Sequence, residues 1–276
     1  MPGTFVESID WTRPWYASIQ FASKKVIAQV DWLAALNQQC SALELTNHQG
    51  QPLSFVDQTA LPAGNAYESF ISETGGIPTR DNPHDFFNTL AWLSFPRIKC
   101  QLNALQAAQI ERAGIGKSRG AARDAATIFD ENAALLVISD TEQGRSLVDS
   151  LRAHQWHAAF LDQRDSFGQH AEVWLFGHAL MEKLVAPYKA ITAHAWVVTA
   201  PDDFHLKSHD TRRAWLDLHV ANNLSANLTA NLAASSLSTA CFTPLPVLGI
   251  PGWWPSQDRA FYDDAAVFRP ERRERS

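Results

Sequence analysis

Two prolines within one apolar stretch constrain the fold of this chain more than any other feature. The stretch is residues 79–103, TRDNPHDFFNTLAWLSFPRIKCQLN. Asn82 is a favourable N-cap residue, Pro83 has the fixed φ angle preferred at the first helical position, and Asp85 follows in the first turn. A carboxylate there faces the positive end of the helix dipole and can accept a hydrogen bond from the N-cap amide. The sequence therefore predicts a helix that begins at Pro83.

The second proline ends that helix and allows another to begin. Phe86, Leu90 and Leu93 recur at the spacing of a helix face that packs against a core. Pro96 cannot continue the helix, because it has no amide hydrogen and its ring clashes with the preceding turn. Apolar residues resume at helical spacing after Pro96 and stop near Gly114. We therefore expect two helices, over about residues 83–95 and 97–113.

Ionisable and polar side chains gather where the first helix begins, namely Arg80, His84, Asp85 and Asn88. His84 and Asn88 are four residues apart, so they share a helix face. One interpretation makes Asp85 a helix cap, His84 a surface histidine and Arg80 a partner of a nearby acid. The other makes the group an anion-binding or metal-binding site, because a helix N-terminus with a histidine, a carboxylate and an arginine can bind either ligand. The sequence leaves both interpretations open.

Another predicted helix, which follows a buried strand over residues 171–176, carries His178 and Glu182. These residues are four apart and share one helix face. The HExxH signature of metalloproteases requires a second histidine, which this helix lacks. His178 and Glu182 could supply half of a metal site, completed by His84, Asp85 or His194. The alternative is a hydrogen-bonded pair with a structural role.

Two further acids belong to a predicted turn. Residues 124–139 have the pattern of two strands, with Asp130, Glu131 and Asn132 between them. Acids in such a position serve turn geometry more often than metal binding. Asp130 and Glu131, together with Asp124 at the start of this segment, are therefore secondary candidates for metal ligands.

The remaining pattern predicts a single α+β domain spanning residues 1–276, with its core at about 28–269. In it the two central helices and a long late helix, over residues 209–237, pack on a small, mostly antiparallel sheet. Residues 67–72 are predicted as a strand. The Pro-, Gly- and aromatic-rich C-terminal segment is expected to wrap around the domain and form one wall of the pocket. Residues 271–276 are expected to fray.

Charge and cysteine content limit the partners and the compartment. The net charge of −6 argues against a general electrostatic attraction to nucleic acid or anionic membranes. Residues 95–123 reverse this balance with six basic residues against one acid, so a nucleic-acid contact is not excluded there. Three widely spaced cysteines without CxxC spacing, no secretory leader and no membrane-length apolar segment predict a cytoplasmic protein that does not enter membranes. The sequence does not determine the oligomeric state.

Residues 114–120, GIGKSRG, are superficially similar to a phosphate-binding loop. The glycine required five positions before Gly116 is Glu111, and a helix precedes the segment where a strand is needed. The sequence thus has no nucleotide or flavin motif. A divalent metal is the one cofactor that the candidate residues suggest, and its identity is not determined.

Five segments together resemble a bacterial family known as domain of unknown function 3025. They are TRDNPHDFFNTLAWLSFPR, DAATIFDE, FGHALMEKL, PLPVLGIPGWWP and FYDDAAVFRP. The resemblance extends from about Tyr67 to Arg269 and implies one domain. It implies no particular reaction.

Two functional hypotheses follow from the candidate residues. In the first, the protein is a hydrolase for a phosphate-bearing or otherwise anionic small molecule. Its catalytic residues are then His84 as general acid or base, Asp85 as orienting residue or metal ligand, Arg80 as anion clamp, Asn88 as positioning group, and His178 with Glu182. In the second, the protein is a non-catalytic binding or interaction module in which these residues are caps and core hydrogen-bonding groups.

Overall fold

A computed structural model describes residues 4–113, 120–230 and 237–271 of the chain. The α-helices are α1 (Gln20–Val26), α2 (Trp32–Ala42), α3 (Tyr67–Thr74), α4 (Pro83–Ser94), α5 (Pro96–Ala113), α6 (Gly120–Asn132), α7 (Glu142–Arg152), α8 (His178–Lys183), α9 (His209–Ala230) and α10 (Arg259–Tyr262). The strands are β1 (Ser54–Asp57), β2 (Gly76–Thr79), β3 (Ala133–Ser139), β4 (Ala171–Leu175), β5 (Thr192–Ala200) and β6 (Thr243–Pro246). Short 3-10 segments and one π-helical turn, Ala158–Asp162, connect several of these elements.

The strands form two separate sheets. The larger sheet has the order β4-β3-β5-β6, and β1 pairs with β2 in a small parallel sheet. In the larger sheet β3 is antiparallel to β4 and β5 is antiparallel to β6, while the central β3–β5 pairing is parallel. The α+β class is confirmed, and the main sheet is mixed with antiparallel outer pairings.

Strand β3 is buried on both faces and separates two hydrophobic cores. All seven of its residues are buried. Ala134 and Leu136 face the first core, which includes α4, α7 and the N-terminal helices, whereas Leu135 and Val137 face the second, which includes α5, α6 and α9. This alternation is what the two-residue period of a strand requires. The uninterrupted apolar sequence of β3 is therefore the signature of a strand covered on both sides.

The predicted break at Pro96 moves the chain from one core to the other. Helix α4 packs Phe86 and Leu90 into the first core, and α5 packs Ile98 and Leu102 into the second. The break exposes the amides at the start of α5, and the buried carboxylate of Asp217 from α9 accepts hydrogen bonds from two of them. Its oxygens lie 3.2 Å from the nitrogen of Arg97 and 3.0 Å from that of Ile98. The predicted pair of helices is confirmed, although the predicted stop at Gly114 lies outside the described residues.

The C-terminal segment packs against the domain as predicted. Leu245, Val247 and Leu248 are fully buried. Strand β6 pairs with β5, and the amide of Val247 continues the pairing by donating to the carbonyl of Ile191. Pro244 and Pro246 occupy the alternate positions of this strand. Residues 231–236 and 272–276, where we predicted the end of the long helix and a frayed tail, lie outside the described residues.

Two predicted strands are helices. Residues 67–72 belong to α3, which buries Ile71 and ends at Gly75, whose φ of 75° is the left-handed conformation of a helix C-cap. The first half of segment 124–139 belongs to α6, which buries Ala122, Ala125, Ala126 and Phe129 at helical spacing. In both segments packing against neighbouring elements outweighs the local alternation of polar and apolar residues.

No described helix combines the length and the apolar character that crossing a bilayer would require. The predicted cytoplasmic location stays a prediction.

Candidate metal centre

Three potential metal ligands meet where three helices end or begin. His84 lies in the first turn of α4, His178 is the first residue of α8, and Glu131 lies at the C-terminal end of α6. One potential ligand atom from each residue can be chosen so that all three atoms lie within 4.8 Å of one another. The residues are far apart in the sequence, so only the tertiary fold brings them together.

The distances within this group resemble those between ligands of one metal ion. Nε2 of His84 is 3.2 Å from Nε2 of His178, and the same atom of His178 is 3.4 Å from Oε2 of Glu131. Two nitrogen ligands bound tetrahedrally to Zn²⁺ at about 2.0–2.1 Å lie roughly 3.3 Å apart. The His84–His178 and His178–Glu131 distances thus match a tetrahedral site, and the ligand atoms of His84 and Glu131 lie within 4.8 Å of each other.

A carboxylate lies beside the second nitrogen of each histidine. Oε2 of Glu182 is 3.0 Å from Nδ1 of His84, and Oδ1 of Asp130 is 4.0 Å from Nδ1 of His178. If Nδ1 of His84 donates its proton to Glu182, the Nε2 lone pair is directed toward His178 and Glu131. Histidines that bind metals commonly donate their other N–H to a carboxylate, which fixes the tautomer and the ring orientation. His84 has such a carboxylate within hydrogen-bond distance, whereas Nδ1 of His178 is buried without a hydrogen-bond partner in the described structure.

Burial keeps His178 in the form that can bind a metal. Its pKa is lowered to about 3, chiefly by burial, while Asp130 opposes this shift and the charge of Lys99 adds to it. Burial, with a contribution from Asp130, raises the pKa of Glu131. Burial also disfavours the charged form of Asp130, but Lys99 and the nearby histidines outweigh that effect, so the pKa of Asp130 is lowered. His178 is therefore neutral at physiological pH, as a metal ligand must be.

A close backbone approach at Gly177 sets the position of His178. The amide of Gly177 donates to the carbonyl of Ala133 at 2.8 Å. A Cβ atom at residue 177 would lie 2.5 Å from the carbonyl oxygen of Glu131, so a side chain cannot be accommodated without a shift. This glycine allows the start of α8 to pack directly on the end of α6.

A cavity of about 340 Å³ opens beside the three ligands and is lined by all of them. Tyr67, Asn88 and Lys99 also line it. Lys99 is almost fully buried, and its Nζ lies 2.5 Å from Oδ1 of Asp130 and 2.8 Å from Oδ1 of Asn88. The volume is at the lower end of the range for small-molecule sites, so the cavity suits a small substrate.

Comparison with known proteins identifies a family for this chain but names no reaction for it. Over residues 53–272 the sequence matches a family described as protein of unknown function (DUF3025). The chain belongs to this family. No curated protein and no solved structure matches the chain.

The predicted site residues of this DUF3025 protein lie together. Arg80, His84, Asp85, Asn88 and His178 line the cavity. Glu182 contacts the site through His84. Their proposed catalytic roles remain predictions, because proximity does not demonstrate chemistry.

Asn82 and Asp85 have structural roles at the start of α4 that the sequence indicated in part. The side chain of Asn82 caps α4 by accepting from the amide of Asp85. Asp85 accepts from the amide and the guanidinium of Arg80, not from the amide of Asn82 as a capping box would require. The predicted N-cap at Asn82 is confirmed. The backbone bond to Asp85 comes from Arg80, two positions before Asn82, because the chain turns there.

One alternative considered for the site is not realised, and one expectation was wrong. His194 lies on β5 with its ring centroid 5.8 Å from that of Phe242, and it does not line the cavity. The C-terminal segment does not form a cavity wall either, since the lining residues fall between Gln58 and His178. Strand β6 instead continues the main sheet, which leads that segment away from the three ligands.

The basic run at residues 95–123 is partly internal in the described structure. Lys99 and Arg123 are buried, and Arg97 pairs with Asp217 at 3.6 Å. Lys117 and Arg119 lie outside the described residues. Contact with nucleic acid at this segment stays an untested prediction.

Sequence reasoning gave too little weight to several residues of the site. Asp130 and Glu131 were assigned mainly to a turn, whereas both lie at the end of α6. Lys99 was counted only as part of a basic run, although its position between apolar Ile98 and Leu102 is a signal of burial. Tyr67 had no signal, since residues 67–72 were predicted as a strand.

Proposed function

We propose that this protein is a metal-dependent hydrolase, with a divalent ion, zinc in the first instance, held by His84, His178 and Glu131. The observation that supports it most strongly is the spacing of the ligand atoms, 3.2 Å between the two histidine nitrogens and 3.4 Å between His178 and Glu131. Two histidines and one glutamate form a known ligand set of catalytic zinc.

Three protein ligands leave one coordination position for water or substrate in a four-coordinate zinc site. Zinc lowers the pKa of bound water to about 7, so hydroxide becomes available as a nucleophile near neutral pH. The adjoining cavity of about 340 Å³ provides space for a small substrate beside that water. These features together favour hydrolysis over simple metal storage.

This proposal changes the role that the sequence suggested for several residues. His84 becomes a metal ligand, and Glu182 takes the orienting role first considered for Asp85. Arg80 is engaged by Asp85 through two hydrogen bonds from its guanidinium, at 2.9 and 3.0 Å. Its role as an anion clamp, and with it an anionic substrate, remains a hypothesis for the substrate screen.

The first test is metal content and zinc affinity. We expect the purified protein to bind one equivalent of zinc, measured by elemental analysis and by calorimetric titration of the metal-free protein. The His84→Ala variant should lose most of this affinity, because one of three protein ligands is removed. Its side chain is 38% exposed, so the substitution should leave the fold intact, as circular dichroism can verify.

A histidine outside the site provides the matched control. His219 stacks on Trp215 in α9 and does not line the cavity, so His219→Ala should bind zinc like the wild type. The zinc-loaded protein is then screened against generic amides, esters, phosphomonoesters and phosphodiesters. Equal metal content in wild type and His84→Ala would refute the site. If the protein instead contains iron, consumes oxygen and hydrolyses none of these substrates, the proposed function would change from hydrolase to oxygenase. Iron-dependent oxygenases also bind their metal through two histidines and a carboxylate.

A further inference from the structure

The hydroxyl of Tyr67 is held as a hydrogen-bond donor at the edge of the cavity. The ammonium group of Lys99 can only donate, so the Asn88 side-chain oxygen must face it, 2.8 Å away. The Asn88 nitrogen therefore faces Tyr67 and donates to its hydroxyl oxygen at 2.9 Å. With that oxygen used as an acceptor, the O–H of Tyr67 is left to donate to another group.

No described residue accepts this O–H, since the bond from Asn88 is the one hydrogen bond that the described structure gives to the Tyr67 hydroxyl. Tyr67 lines the same cavity as His84, His178 and Glu131. Burial, followed by the negative charge of Asp130, raises the pKa of Tyr67, so the phenol remains protonated. We therefore expect a ligand in the cavity to accept the hydrogen bond from the Tyr67 O–H.

A second neutral group in the cavity lacks a partner. The side-chain nitrogen of Asn103 donates to the carbonyl of Glu68 at 2.9 Å, which fixes the amide orientation because a carbonyl cannot donate. The other end, Oδ1 of Asn103, is buried without a hydrogen-bond partner among the described residues. A buried acceptor of this kind is costly unless a donor reaches it. Asn103 lines the same cavity as Tyr67, so the cavity wall contains one neutral donor and one neutral, unpartnered acceptor.

The cations that line the cavity are already paired in the described structure. Arg80 binds Asp85, and Lys99 binds Asp130. Apart from the proposed metal ion, a phosphate group would have to compete with these carboxylates for the two cationic side chains. A carboxamide needs no free cation, because its carbonyl accepts a hydrogen bond and its N–H donates one.

We propose, resting on the metal-dependent hydrolysis proposed above, that the substrate is a small carboxamide and that Tyr67 is a catalytic residue that donates to its carbonyl oxygen. A metal held by His84, His178 and Glu131 would supply hydroxide, which would form a bond to the carbonyl carbon as the π-electron pair moves to the carbonyl oxygen. Tyr67 stabilises that oxyanion by its O–H. When the C=O bond forms again, the C–N bond breaks and the nitrogen takes up the proton that the water released on becoming hydroxide, so amide and water give a carboxylic acid and an amine. Asn88 and Lys99 are positioning residues in this scheme.

Acetohydroxamate is a suitable probe, because it binds zinc and carries both a carbonyl and an N–H group. Its affinity for the zinc-loaded protein is measured by calorimetry in wild type, Tyr67→Phe and the control Tyr188→Phe. Tyr188 is 55% exposed and does not line the cavity. We expect about tenfold weaker binding in Tyr67→Phe, the effect of losing one hydrogen bond, with unchanged zinc content and unchanged binding in the control.

Acetate provides a second comparison, since it binds zinc but has no N–H. The variant Asn103→Ala should weaken acetohydroxamate binding more than acetate binding. Equal loss for both probes would overturn the assignment of Asn103 and with it the carboxamide class.

The remaining outcomes separate this inference from the proposed function. Zinc binding with equal acetohydroxamate affinity in wild type and Tyr67→Phe would refute the role of Tyr67 alone. Inorganic phosphate that binds more tightly than acetohydroxamate would overturn the carboxamide substrate in favour of a phosphate-bearing one. A wild-type protein that binds no zinc would refute the metal centre, and the inference built on it would fall as well.

Discussion

Lys99 contacts both the buried aromatic interior and the acid beside the candidate metal site. Its side chain is 4% exposed, and its ammonium group lies 5.2 Å from the centroid of the Trp92 ring. The charge is balanced by Asp130, which in turn lies beside His178. A buried ion pair of this kind adds little net stability, but loss of one partner leaves an uncompensated charge.

We predict that Lys99→Met lowers the free energy of unfolding by about 3 kcal/mol, because Asp130 is left without its cation. The double variant Lys99→Met/Asp130→Asn should recover part of this loss, since no unpaired charge remains. Urea unfolding of the wild type, both single variants and the double variant measures the coupling. Losses that simply add in the double variant would show that the two side chains do not depend on each other.

The sequence could identify some residues of the site and not others. His84 and His178 could be selected because each lies four residues before a polar side chain on a predicted helix, Asn88 and Glu182 respectively. Glu131 could be judged only as an acid in a predicted turn, because it is distant in the sequence from both His84 and His178 and only the tertiary fold brings it close to them. Local pattern therefore found the histidines, while the third ligand required the packing of α6 against α8.

At the scale of elements, the break between α4 and α5 depends on a carboxylate from a third helix. Asp217 is nearly fully buried and accepts from the amides of Arg97 and Ile98. Burial raises the pKa of Asp217 from its ordinary value of 3.8 to about 6. The folded protein therefore binds this proton more tightly than the unfolded chain does.

This shift predicts a pH-dependent stability. Between about pH 4 and 6 the folded state holds more protons at Asp217 than the unfolded state, so stability falls as the pH rises through this window. Relative to Asp217→Asn, the wild type should lose about 2 kcal/mol over that range, since one pKa unit corresponds to about 1.4 kcal/mol. Urea unfolding of both proteins at several pH values measures the difference. Parallel stability curves would contradict the assignment.

The element boundaries were predictable where the covalent structure of proline fixed them. Pro83 and Pro96 begin α4 and α5 as expected, because proline is restricted in the same way in any fold. Helices α3 and α6 were not predictable from their alternating patterns. Each helix is stabilised by burial of one face, which carries Ile71 in α3 and Phe129 in α6. Those contacts come from distant parts of the chain, so a local pattern cannot report them.

At the scale of the whole molecule, the candidate metal centre connects segments that are distant in the sequence. The hydrogen-bonded nitrogens of His84 and His178 belong to residues 94 positions apart. A metal that binds both would favour the folded state, because the unfolded chain does not hold the ligands together.

We predict that zinc raises the thermal stability of the protein in a concentration-dependent manner. At a free zinc concentration 100 times the dissociation constant, the gain in unfolding free energy should be about 2.7 kcal/mol. Differential scanning calorimetry with zinc and with a chelator measures the shift in Tm. The His84→Ala variant should show little shift. The same shift in that variant would mean that zinc binds elsewhere.

Strand β6 also has a consequence for assembly. The amide of Val247 points to β5, so by the two-residue alternation of an antiparallel pair the amides at residues 244 and 246 would point outward. Both positions are proline and have no N–H. The outer margin of the sheet therefore offers no amide donors to an incoming strand, and proline at such a margin is a known protection against edge-to-edge aggregation. The covalent structure of proline therefore disfavours growth of the sheet by addition of a second copy at this margin.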